Sequence, residues 1–407
     1  MILDGPYVGN AIKPIHPFPA RMAADLALGE IPELVTTPLR VLDPMVGSGT
    51  TLVAARLRGH EAIGFDTDPL AVLNARVWTS DCDEKKILRA AEKVQTSATR
   101  EAKSLRIGSA FPSNADDETR DFIRYWFDTT NRKQLTSLSN AIRDVRSDDA
   151  RQVLWCAFSR LIIAKRRGAS RALDLSHSRP HLSFNKISFR PIPNFLDSLH
   201  VVLKNLPFKA GFALPAANIR VGDARHLAVP DESIDLVMTS PPYLNAIDYI
   251  RCSKFSLVWM GFGISQLRQI RSTNIGAEAM PKCRSWAVWN KVAHAFQDVA
   301  RADERTTMIF LRYINDIHLV LGEIKRVLSS RGKCVMVIGD SSTNGIFVRN
   351  SLAVEELGKL HGLRTVSKRT RDIPESRRYL PPPSSNKAGE SLRSRIRAET
   401  VLTLALT

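Results

Sequence analysis

The sequence predicts an α/β protein whose mainly parallel, doubly wound sheet carries large, mostly helical insertions. Near the start, the short apolar strand Leu39–Asp43 leads into a glycine turn, Gly47–Gly49, and then into a helix, Thr51–Leu57. The second strand, Glu61–Asp66, follows directly, and apolar, β-branched segments return after long helical stretches. Neighbouring parallel strands need a crossover connection, usually a helix, so this strand–turn–helix–strand order predicts a parallel sheet.

The remaining predicted elements follow from the spacing of apolar residues. Later strands are expected at Asn218–Asp223, Ser233–Thr239, Lys333–Gly339 and Thr400–Leu406. Helices are expected at Met22–Leu28, Asp121–Phe127, Gln152–Ala164 and Leu352–His361. The long interval between the second and third strands is mostly helical in pattern, so we expect it to form a separate lobe inserted into the sheet domain.

This pattern divides the 407 residues into three parts. Residues 1–78 hold an N-terminal segment and the first half of the sheet domain, 79–215 the helical and basic insertion, and 216–407 the second half. A further helical insert occupies about 248–299. A chain of this length fits one large α/β domain with insertions, or a catalytic domain with a second lobe.

Charge and cysteine content narrow the functional classes. The chain has 58 Lys and Arg against 41 Asp and Glu, a net charge of +17 that favours an anionic partner such as nucleic acid. Its five cysteines are scattered without a C-x-x-C pair, which argues against a disulfide framework or a cysteine zinc site, and we predict no metal site. No apolar run approaches ~20 residues and the N-terminus lacks a signal-peptide layout, so we expect a cytoplasmic protein without membrane contact.

The glycine turn predicts a ligand site at the carboxyl edge of the sheet. No Lys follows Gly49, which excludes a P-loop, and Leu52 stands where a dinucleotide fingerprint needs its third glycine. Carboxylates are predicted at three strand ends: Asp43, facing a cationic ammonium or a water, Asp66, facing ribose hydroxyls, and Asp223, facing an adenine amino group. Together they predict a site for a cationic ligand that contains adenosine, although each aspartate alone is equally well explained as a cap or turn residue.

The segment Thr239-Ser-Pro-Pro-Tyr243 follows a predicted buried strand and therefore lies at the same edge. The exocyclic amine of a nucleobase is a poor nucleophile because its lone pair is delocalised into the ring. A hydroxyl oxygen and a backbone carbonyl that accept its two N–H bonds hold the nitrogen nearer to tetrahedral, with the lone pair aimed at a sulfonium methyl group. Two prolines rigidify the loop and remove competing donors, and Tyr243 offers a face for a flipped base. A proline-rich turn without chemistry is the alternative.

These motifs resemble those of the amino-group DNA methyltransferases, which use S-adenosylmethionine to methylate N4 of cytosine or N6 of adenine. Asp43-Pro-Met-Val-Gly-Ser-Gly-Thr50 is similar to the family's cofactor motif, with Met45 in place of the usual Phe, and Lys13–Arg21 looks like its N-terminal cofactor segment. The resemblance covers the sheet residues, roughly half of the 407, and implies a Rossmann-like class I methyltransferase fold. The implied cofactor contacts are Phe18, Asp43, Pro44, Gly47, Ser48, Gly49, Thr50, Asp66 and Asp223.

The catalytic loop carries the most specific part of the resemblance. It implies four catalytic residues, Ser240, Pro241, Pro242 and Tyr243. The Ser form of the loop resembles the N4-cytosine members, whereas Asn or Asp at this position is usual in N6-adenine members. Methylation of C5 of cytosine needs a cysteine nucleophile, typically after proline, and the chain contains no Pro-Cys dipeptide.

Basic segments are the candidate DNA-binding parts. Residues Arg160–Arg190 include eight basic residues against one acid, and we expect phosphate contacts there, with a solvated basic face as the alternative. The candidates are Arg160, Lys165, Arg166, Arg167, Arg171 and Arg179. Arg268, Arg271 and Asn274 in the second insert, and Arg377–Pro381 in the basic tail, are further candidates.

The predicted function is site-specific transfer of a methyl group from S-adenosylmethionine to N4 of cytosine in a flipped base of double-stranded DNA. A restriction endonuclease is a candidate partner. Three alternatives stay open: an N6-adenine DNA methyltransferase that uses the same site, an RNA methyltransferase, and a sequence-specific DNA-binding protein with an inactive methyltransferase domain. The intact motifs argue against the last, and the lack of a recognisable RNA-binding module argues against the second.

Overall fold

A central sheet with helices on both faces forms the frame of the molecule. The computed structural model describes residues 12–19, 21–165, 167–175, 180–184, 187–208, 214–244, 248–276, 286–296, 300, 302–343, 346–373 and 398–407. The described strands are β1 Arg40–Asp43, β2 Glu61–Asp66, β3 Ala217–Val221, β4 Ile234–Thr239, β5 Leu328–Gly339, β6 Ser341–Thr343, β7 Ile346–Val348, β8 Leu363–Asp372 and β9 Ala398–Leu406.

Seven of these strands form one sheet in the order β3-β2-β1-β4-β5-β9-β8, and β6 and β7 form a separate hairpin. Within the sheet, β9 runs antiparallel to both neighbours, so the other six strands are parallel to one another. The prediction of a mainly parallel α/β sheet is confirmed. Chain order reverses between β1 and β4, and in open α/β sheets ligands bind at the carboxyl ends of the strands beside such a reversal.

Helices occupy most of the chain between the strands. The described α-helices are α1 Ala24–Glu30, α2 Thr50–Leu57, α3 Pro69–Trp78, α4 Glu84–Ser104, α5 Asp117–Trp126, α6 Thr129–Arg143, α7 Asp148–Ile162, α8 Phe195–Lys204, α9 Tyr249–Met260, α10 Ile264–Thr273, α11 Trp286–Val292, α12 Glu304–Val327 and α13 Asn350–Leu360. Among these described helices, none has both the length and the apolar character that a membrane span requires.

Two hydrophobic cores lie on opposite faces of the sheet. Side chains alternate between faces along a strand, so Val41 belongs to one core and Leu42 to the other, and Val335 and Met336 divide in the same way. The first core packs the sheet against α1 to α10, and the second packs it against α11, α12 and α13. Because both faces are covered, the central strands are apolar on both sides.

Strand positions follow the sequence prediction most closely at the centre of the sheet. β2 spans the predicted residues, and β1, β4 and β9 begin within two residues of their predicted starts. β3 ends at Val221, so Asp223 lies in the loop after this strand and does not end it as predicted.

The elements that were not predicted include β8 and α12, besides α3, β6 and β7. β8 is an edge strand whose exposed residues are mostly charged or polar, as edge strands often are, so it lacks the apolar pattern on which strand prediction depends. α12 is 24 residues long and does carry readable signals, since its apolar residues recur at helical spacing and Asp303 caps its start through a bond from Thr306 N.

The helical insertion is not a separate lobe, contrary to the prediction. Its helices share one hydrophobic core with the sheet and with α9. Buried polar contacts join the same parts: Ser139 Oγ on α6 donates to Trp259 O at 2.7 Å, and Ser159 Oγ on α7 donates to Ser256 Oγ at 2.9 Å. The apolar faces of the insertion are therefore buried against the catalytic frame instead of against each other alone.

Replacement of Gly64 by Ala is expected to destabilise the fold. A Cβ at this position in β2 would lie 2.4 Å from Val46 Cγ2 and 2.6 Å from Leu52 Cδ1. Overpacking of this kind lowers the free energy of unfolding by about 1–3 kcal/mol, which urea unfolding measures. The matched control is Gly29→Ala in α1, where a Cβ meets nothing within 4 Å and alanine should stabilise the helix by up to ~1 kcal/mol. Equal unfolding midpoints for the two variants would contradict this packing.

Candidate cofactor and catalytic site

The turn between β1 and α2 is shaped by its glycines and anchored on β2. Gly47 N donates to a carboxylate oxygen of Asp66 at 2.8 Å. Gly47 and Gly49 have φ angles of +52° and +94°, a region that side chains disfavour. At Gly49 a Cβ would also lie 3.0 Å from Ala75 in α3, so the close approach of turn and helix requires glycine there. Ser48 and Thr50 are buried with their hydroxyl oxygens 3.2 Å apart, and Pro44 is buried beside them.

Asp43 joins the turn to the catalytic loop. Its Oδ1 accepts from Thr239 Oγ1 at 2.7 Å and from Met45 N at 3.1 Å. Asp43 is only 3% exposed, and this burial raises the pKa of its carboxyl to about 6. The ends of β1 and β4 are therefore fixed to each other by one buried carboxyl group. The contact of Asp43 with a ligand ammonium stays a prediction.

Asp66 and Asp68 form a second acidic pair at the end of β2. Besides Gly47 N, Asp66 accepts from Asp68 N at 2.9 Å, and burial raises the pKa of its carboxyl. Asp68 caps α3 by accepting from Leu70 N at 2.8 Å and also accepts from Ser253 Oγ on α9. Burial raises the pKa of Asp68 to about 7. Asp68 was not predicted as a site residue, although an Asp before Pro69 is a helix-start signal that could have located it.

Asp223 is held by an arginine that the sequence reasoning missed. Arg225 donates to both carboxylate oxygens of Asp223, at 2.9 Å from Nε and 2.6 Å from Nη2, and its Nη1 donates to Asp316 on α12 at 2.6 Å. Arg225 Nη2 also donates to Thr273 O at 2.7 Å. Its hydrogen bonds to Asp223 lower the pKa of that carboxyl, despite burial, and keep it ionised. No spacing in the sequence singles out Arg225 from the many other arginines.

The catalytic loop leaves β4 beside β5. Ser240 Oγ donates to Val337 O at 2.9 Å and lies 3.4 Å from the hydroxyl oxygen of Tyr243. Pro241 is buried, whereas Ser240, Pro242 and Tyr243 are partly exposed. Burial raises the pKa of Tyr243 to about 12, so its hydroxyl is protonated at neutral pH.

The N-terminal segment is fastened to the helical insertion. Phe18 is buried and stacks on Tyr249 at the start of α9, with ring centroids 5.6 Å apart and planes 4° apart. His16 Nε2 lies 2.9 Å from Ser159 Oγ on α7, and burial lowers the pKa of this histidine well below its usual value. Tyr249 was not predicted as a site residue. The contact of Phe18 with a ligand stays a prediction. The ring on which Phe18 stacks belongs to the second helical insert.

Arg160 is partly exposed and is bonded to the N-terminal segment. Its Nη1 donates to Ile15 O at 2.7 Å, and burial lowers the pKa of its guanidinium. Arg160 therefore holds the N-terminal segment in place, and its contact with DNA stays a prediction. A basic residue on the last turn of an amphipathic helix gives no sequence signal that separates these two roles.

The other predicted DNA-binding residues differ in how far they are exposed. Lys165 and Arg167 are exposed, and the guanidinium of Arg167 lies 5.4 Å from the ring centroid of Phe184. Arg171 is partly buried, with Nη1 donating to Tyr125 O at 3.3 Å. Two further candidates, Arg166 and Arg179, lie outside the described residues, as does Arg377–Pro381.

The site residues predicted from β1, β2 and β4 thus meet at one edge of the sheet, with Asp223 joined to them through Arg225 and the backbone. Gly222 N donates to Asp66 O at 3.0 Å, which brings the loop after β3 to the end of β2. Thr67 Oγ1 donates to Asn274 Oδ1 at 3.0 Å, which brings the segment after α10 to the same place.

Comparisons with known proteins give the same assignment as the motifs. The chain is 23% identical to M.MvaI, a type II methyltransferase of Kocuria varians, across 92% of this chain and 87% of that protein. It is 22% identical to M.BsoBI, a type II methyltransferase of Geobacillus stearothermophilus, across 60% of this chain and 51% of that protein. A solved TehB-like S-adenosylmethionine-dependent methyltransferase of Corynebacterium glutamicum is 11% identical, with 94% of this chain and 86% of that chain covered and a TM-score of 0.30. No family model matches the chain.

The similarity to M.MvaI extends over nearly the whole of both chains, and the two motifs lie on the frame that they require. The chain is therefore similar to type II methyltransferases over most of its length, and its motifs resemble those of the amino-methyltransferases. The motifs imply S-adenosylmethionine as the cofactor, and the seven-stranded, mainly parallel sheet agrees with the fold that they imply.

The described residues at this edge of the sheet fit S-adenosylmethionine. Gly47 is partly exposed, and a Cβ built there meets nothing within 4 Å, so there is room for a ligand against the turn. Asp66 and Asp223 present partly exposed carboxylates at the same edge, where they would hold ribose hydroxyls and the adenine amino group. A cationic ligand would also be favoured by the carboxyls of Asp43 and Asp66, which burial otherwise makes hard to ionise.

The ionisation of Asp68 is expected to make stability depend on pH. Its pKa is about 7 in the folded chain and near 4 in the unfolded chain, so stability falls as pH rises from 4 to 7 and the buried charge develops. Asp68→Asn keeps the cap without the charge. Urea unfolding should show this variant close to the unaltered chain at pH 4.5 and about 2–4 kcal/mol more stable at pH 8.

The control for that prediction is Asp116→Asn, a change of the same kind at the cap of α5. The pKa of Asp116 is lowered, chiefly by the side-chain hydrogen bond from Thr119, so its charge stabilises the folded chain above pH 4. The control should therefore lose stability at pH 8 and lose less at low pH, the opposite of Asp68→Asn. A loss of stability for Asp68→Asn that is the same at both pH values would contradict the assignment.

Proposed function

We propose that this protein is an S-adenosylmethionine-dependent amino-methyltransferase that modifies N4 of cytosine in double-stranded DNA, at a base flipped out of the helix. The observation that carries the proposal is the hydroxyl of Ser240, at the carboxyl end of β4 beside the cofactor turn. The net charge of +17 and the type II methyltransferases among its relatives support DNA as the substrate.

The orientation of the Ser240 hydroxyl suits an amine acceptor. Its single proton is donated to Val337 O at 2.9 Å, so the lone pairs of Oγ are left to accept from an N–H group. An exocyclic amine that donates to Ser240 Oγ and to a loop carbonyl is held with its nitrogen lone pair turned out of the ring plane. Pro241 and Pro242 have no N–H to compete for those carbonyls. This positioning makes the amine nucleophilic without a covalent bond to the enzyme.

Tyr243 completes the acceptor side of the site. Its hydroxyl remains protonated because burial raises its pKa to about 12, so it can donate to Ser240 Oγ, 3.4 Å away, or to a base. Its partly exposed ring is the face on which we propose that the flipped base stacks.

Bound S-adenosylmethionine supplies a methyl group activated by the sulfonium. Asp43 fixes the cofactor turn to the catalytic loop, and Asp66 and Asp223 hold the adenosine part, so donor and acceptor are presented to each other by one rigid edge of the sheet. Phe18 and Tyr249 form an apolar stack next to the start of α9, which we propose covers the methionine part and excludes water.

Two helices connect this site to DNA in the proposed complex. Five residues separate the end of the catalytic loop from the start of α9. The chain after α10 returns towards the cofactor site, where Asn274 accepts from Thr67. Arg268 and Arg271 on α10 are 63% and 58% exposed, although each already pairs with a carboxylate, Glu118 and Asp248. We propose that this pair of helices contacts DNA beside the flipped base, and that a restriction endonuclease of the same sequence specificity is a partner.

The modified base identifies the reaction. When the gene is expressed in a methylation-deficient host, sequencing with modification detection should find N4-methylcytosine in one recurring sequence. Ser240→Ala removes the acceptor oxygen while changing little else, and a reduction in the methylation rate of about 10²-fold or more is expected. Binding of cofactor and DNA should stay close to that of the unaltered enzyme.

The outcomes of this experiment separate the alternatives. Detection of N6-methyladenine would show that adenine, not cytosine, is the modified base. The description of the site would be unchanged. Modification of RNA but not DNA would overturn the substrate. An unmodified genome together with unmodified DNA in vitro would overturn the proposal.

Cofactor binding tests the reading of the chain as an inactive DNA-binding protein. Calorimetry should detect binding of S-adenosylmethionine to the unaltered chain, and Asp66→Ala should weaken it at least 10-fold because a charged acceptor for ribose hydroxyls is lost. The control Asp231→Ala removes an exposed carboxylate that pairs with Arg326, away from the turn, and should bind as the unaltered chain does. No measurable cofactor affinity in the unaltered chain would favour the DNA-binding protein.

A further inference from the structure

We propose that four arginines on the helical insertion form a binding site for a backbone phosphate of DNA, apart from the catalytic site. This arginine cluster consists of Arg120, Arg124, Arg132 and Arg171. The proposal rests on the proposed function, because it names a further contact with the same substrate.

The cluster is gathered around one buried aromatic ring. The guanidinium carbons of Arg120, Arg124 and Arg132 lie 5.7, 5.1 and 4.6 Å from the ring centroid of Phe111. Arg171 joins them from the loop after α7: its backbone N donates to Trp126 O at 2.8 Å, and its guanidinium is close enough to lower the pKa of Arg132.

Several hydrogen-bond donors of the cluster lack an acceptor among the described residues. The Nε atoms of Arg120, Arg132 and Arg171 are buried and have no hydrogen-bond partner in the part of the chain that the structure describes. Arg132 is only 8% exposed, and its Nη2 donates to Ile107 O at 3.0 Å. An unpaired buried donor of a charged group is costly, so such donors call for an acceptor from outside the chain.

The charges of the cluster are also poorly balanced. Arg124 pairs with Asp121 at 2.5 Å, whereas the other three guanidinium groups form no ion pair with any described residue. Burial, together with the neighbouring charges of Arg124 and Arg171, lowers the pKa of Arg132. Like charges this close are unfavourable until an anion lies among them, and a phosphate offers several acceptor oxygens that match guanidinium donors.

Packing alone explains part of this arrangement. A guanidinium stacked on a phenyl ring gains a cation–π contact and covers apolar surface. Such a contact involves the face of the guanidinium plane. It provides no hydrogen-bond acceptor for the N–H groups at the edge of that plane. The unpaired Nε donors are therefore the observation that separates a phosphate site from a purely structural cluster.

The position of the cluster fits a phosphate some distance from the flipped base. Asn114 Nδ2 donates to Gly261 O at 2.6 Å, and Thr119 Oγ1 accepts from Ile264 N at 3.0 Å, so the start of α5 is docked on the turn between α9 and α10. That turn is at the far end of α9 from the catalytic loop, about 18 Å along a helix of 12 residues. Phosphates of one DNA strand are ~3.4 Å apart along the axis, so the contact would be roughly five nucleotides from the modified base.

The salt dependence of DNA binding measures the contact. The probe is a labelled 30-base-pair duplex that contains the sequence found methylated, titrated with enzyme at several salt concentrations. Each phosphate contact contributes about 0.9 to the slope of log K against log salt, so loss of this one contact in Arg120→Gln with Arg124→Gln should lower the slope by about 1, and Arg120→Gln alone should lower it by less. The KM for DNA should rise, while kcat at saturating DNA should stay unchanged because the catalytic loop is untouched.

The matched control removes the same charge elsewhere. Arg89→Gln with Lys93→Gln changes two exposed basic residues on α4, outside the cluster, and should leave the slope unchanged. Equal decreases for both double variants would indicate a general charge effect and overturn the site, as would no decrease for either. A duplex shortened to the recognition sequence should bind the cluster variants and the unaltered chain equally, because it no longer reaches the cluster.

A second measurement separates DNA phosphate from free phosphate and keeps the site testable apart from the proposed function. If the cluster holds a free anion, millimolar inorganic phosphate will raise the Tm of the unaltered chain but not that of the double variant. The salt slopes of DNA binding will then be the same for the two proteins, and this result would overturn the assignment to DNA. If the unaltered chain binds no DNA at all, the proposed function fails and the DNA contact with it. A slope decrease confined to the cluster variants, with unfolding midpoints unchanged, supports the phosphate contact.

Discussion

The hydrogen bond between the carboxyl group of Asp43 and the hydroxyl of Thr239 is the contact on which the site depends. It is 2.7 Å long, buried, and placed where the order of strands reverses, between β1 and β4. β1 leads into the glycine turn and β4 into the Ser-Pro-Pro-Tyr loop, so in the proposed function this single contact fixes the methyl donor and the acceptor relative to each other. Methyl transfer depends on that alignment more than on acid–base chemistry. This explains why the carboxyl group of Asp43 has a structural contact.

The centre of this frame could be predicted from the sequence, and its periphery could not. Strands that are buried on both faces have apolar runs, and the glycine turn marks the end of β1, so β1, β2 and β4 were located to within two residues. β8 shows no such run because it lies at an edge and exposes its side chains. Asp66 was placed correctly because it ends a strand, whereas the contact between Asp223 and Arg225 depends on a loop conformation that local patterns do not encode.

The insertion shows a different limit of sequence reasoning. Its helices were expected, but their apolar faces do not say which partner they pack against, and the structure buries them against the sheet domain. Arg160 illustrates the consequence: this candidate DNA contact also supports the N-terminal segment through Ile15 O, a role that the sequence did not predict. The same segment is held by His16 and by the stack of Phe18 on Tyr249. The helices of the insertion therefore hold the N-terminal segment in place.

The carboxyl groups around the turn also explain why this frame is suited to a cationic cofactor. Asp43, Asp66 and Asp68 are close together, Asp43 and Asp68 are buried and Asp66 is partly exposed, and burial raises the pKa of each. In the free protein their ionisation is costly, since each charge is removed from water and, for Asp43 and Asp68, the charge of Asp66 adds repulsion. In the proposed function a bound sulfonium or ammonium group would offset this cost. The product of methyl transfer has lost the sulfonium charge, so the same carboxyl groups would bind it less strongly than the methyl donor.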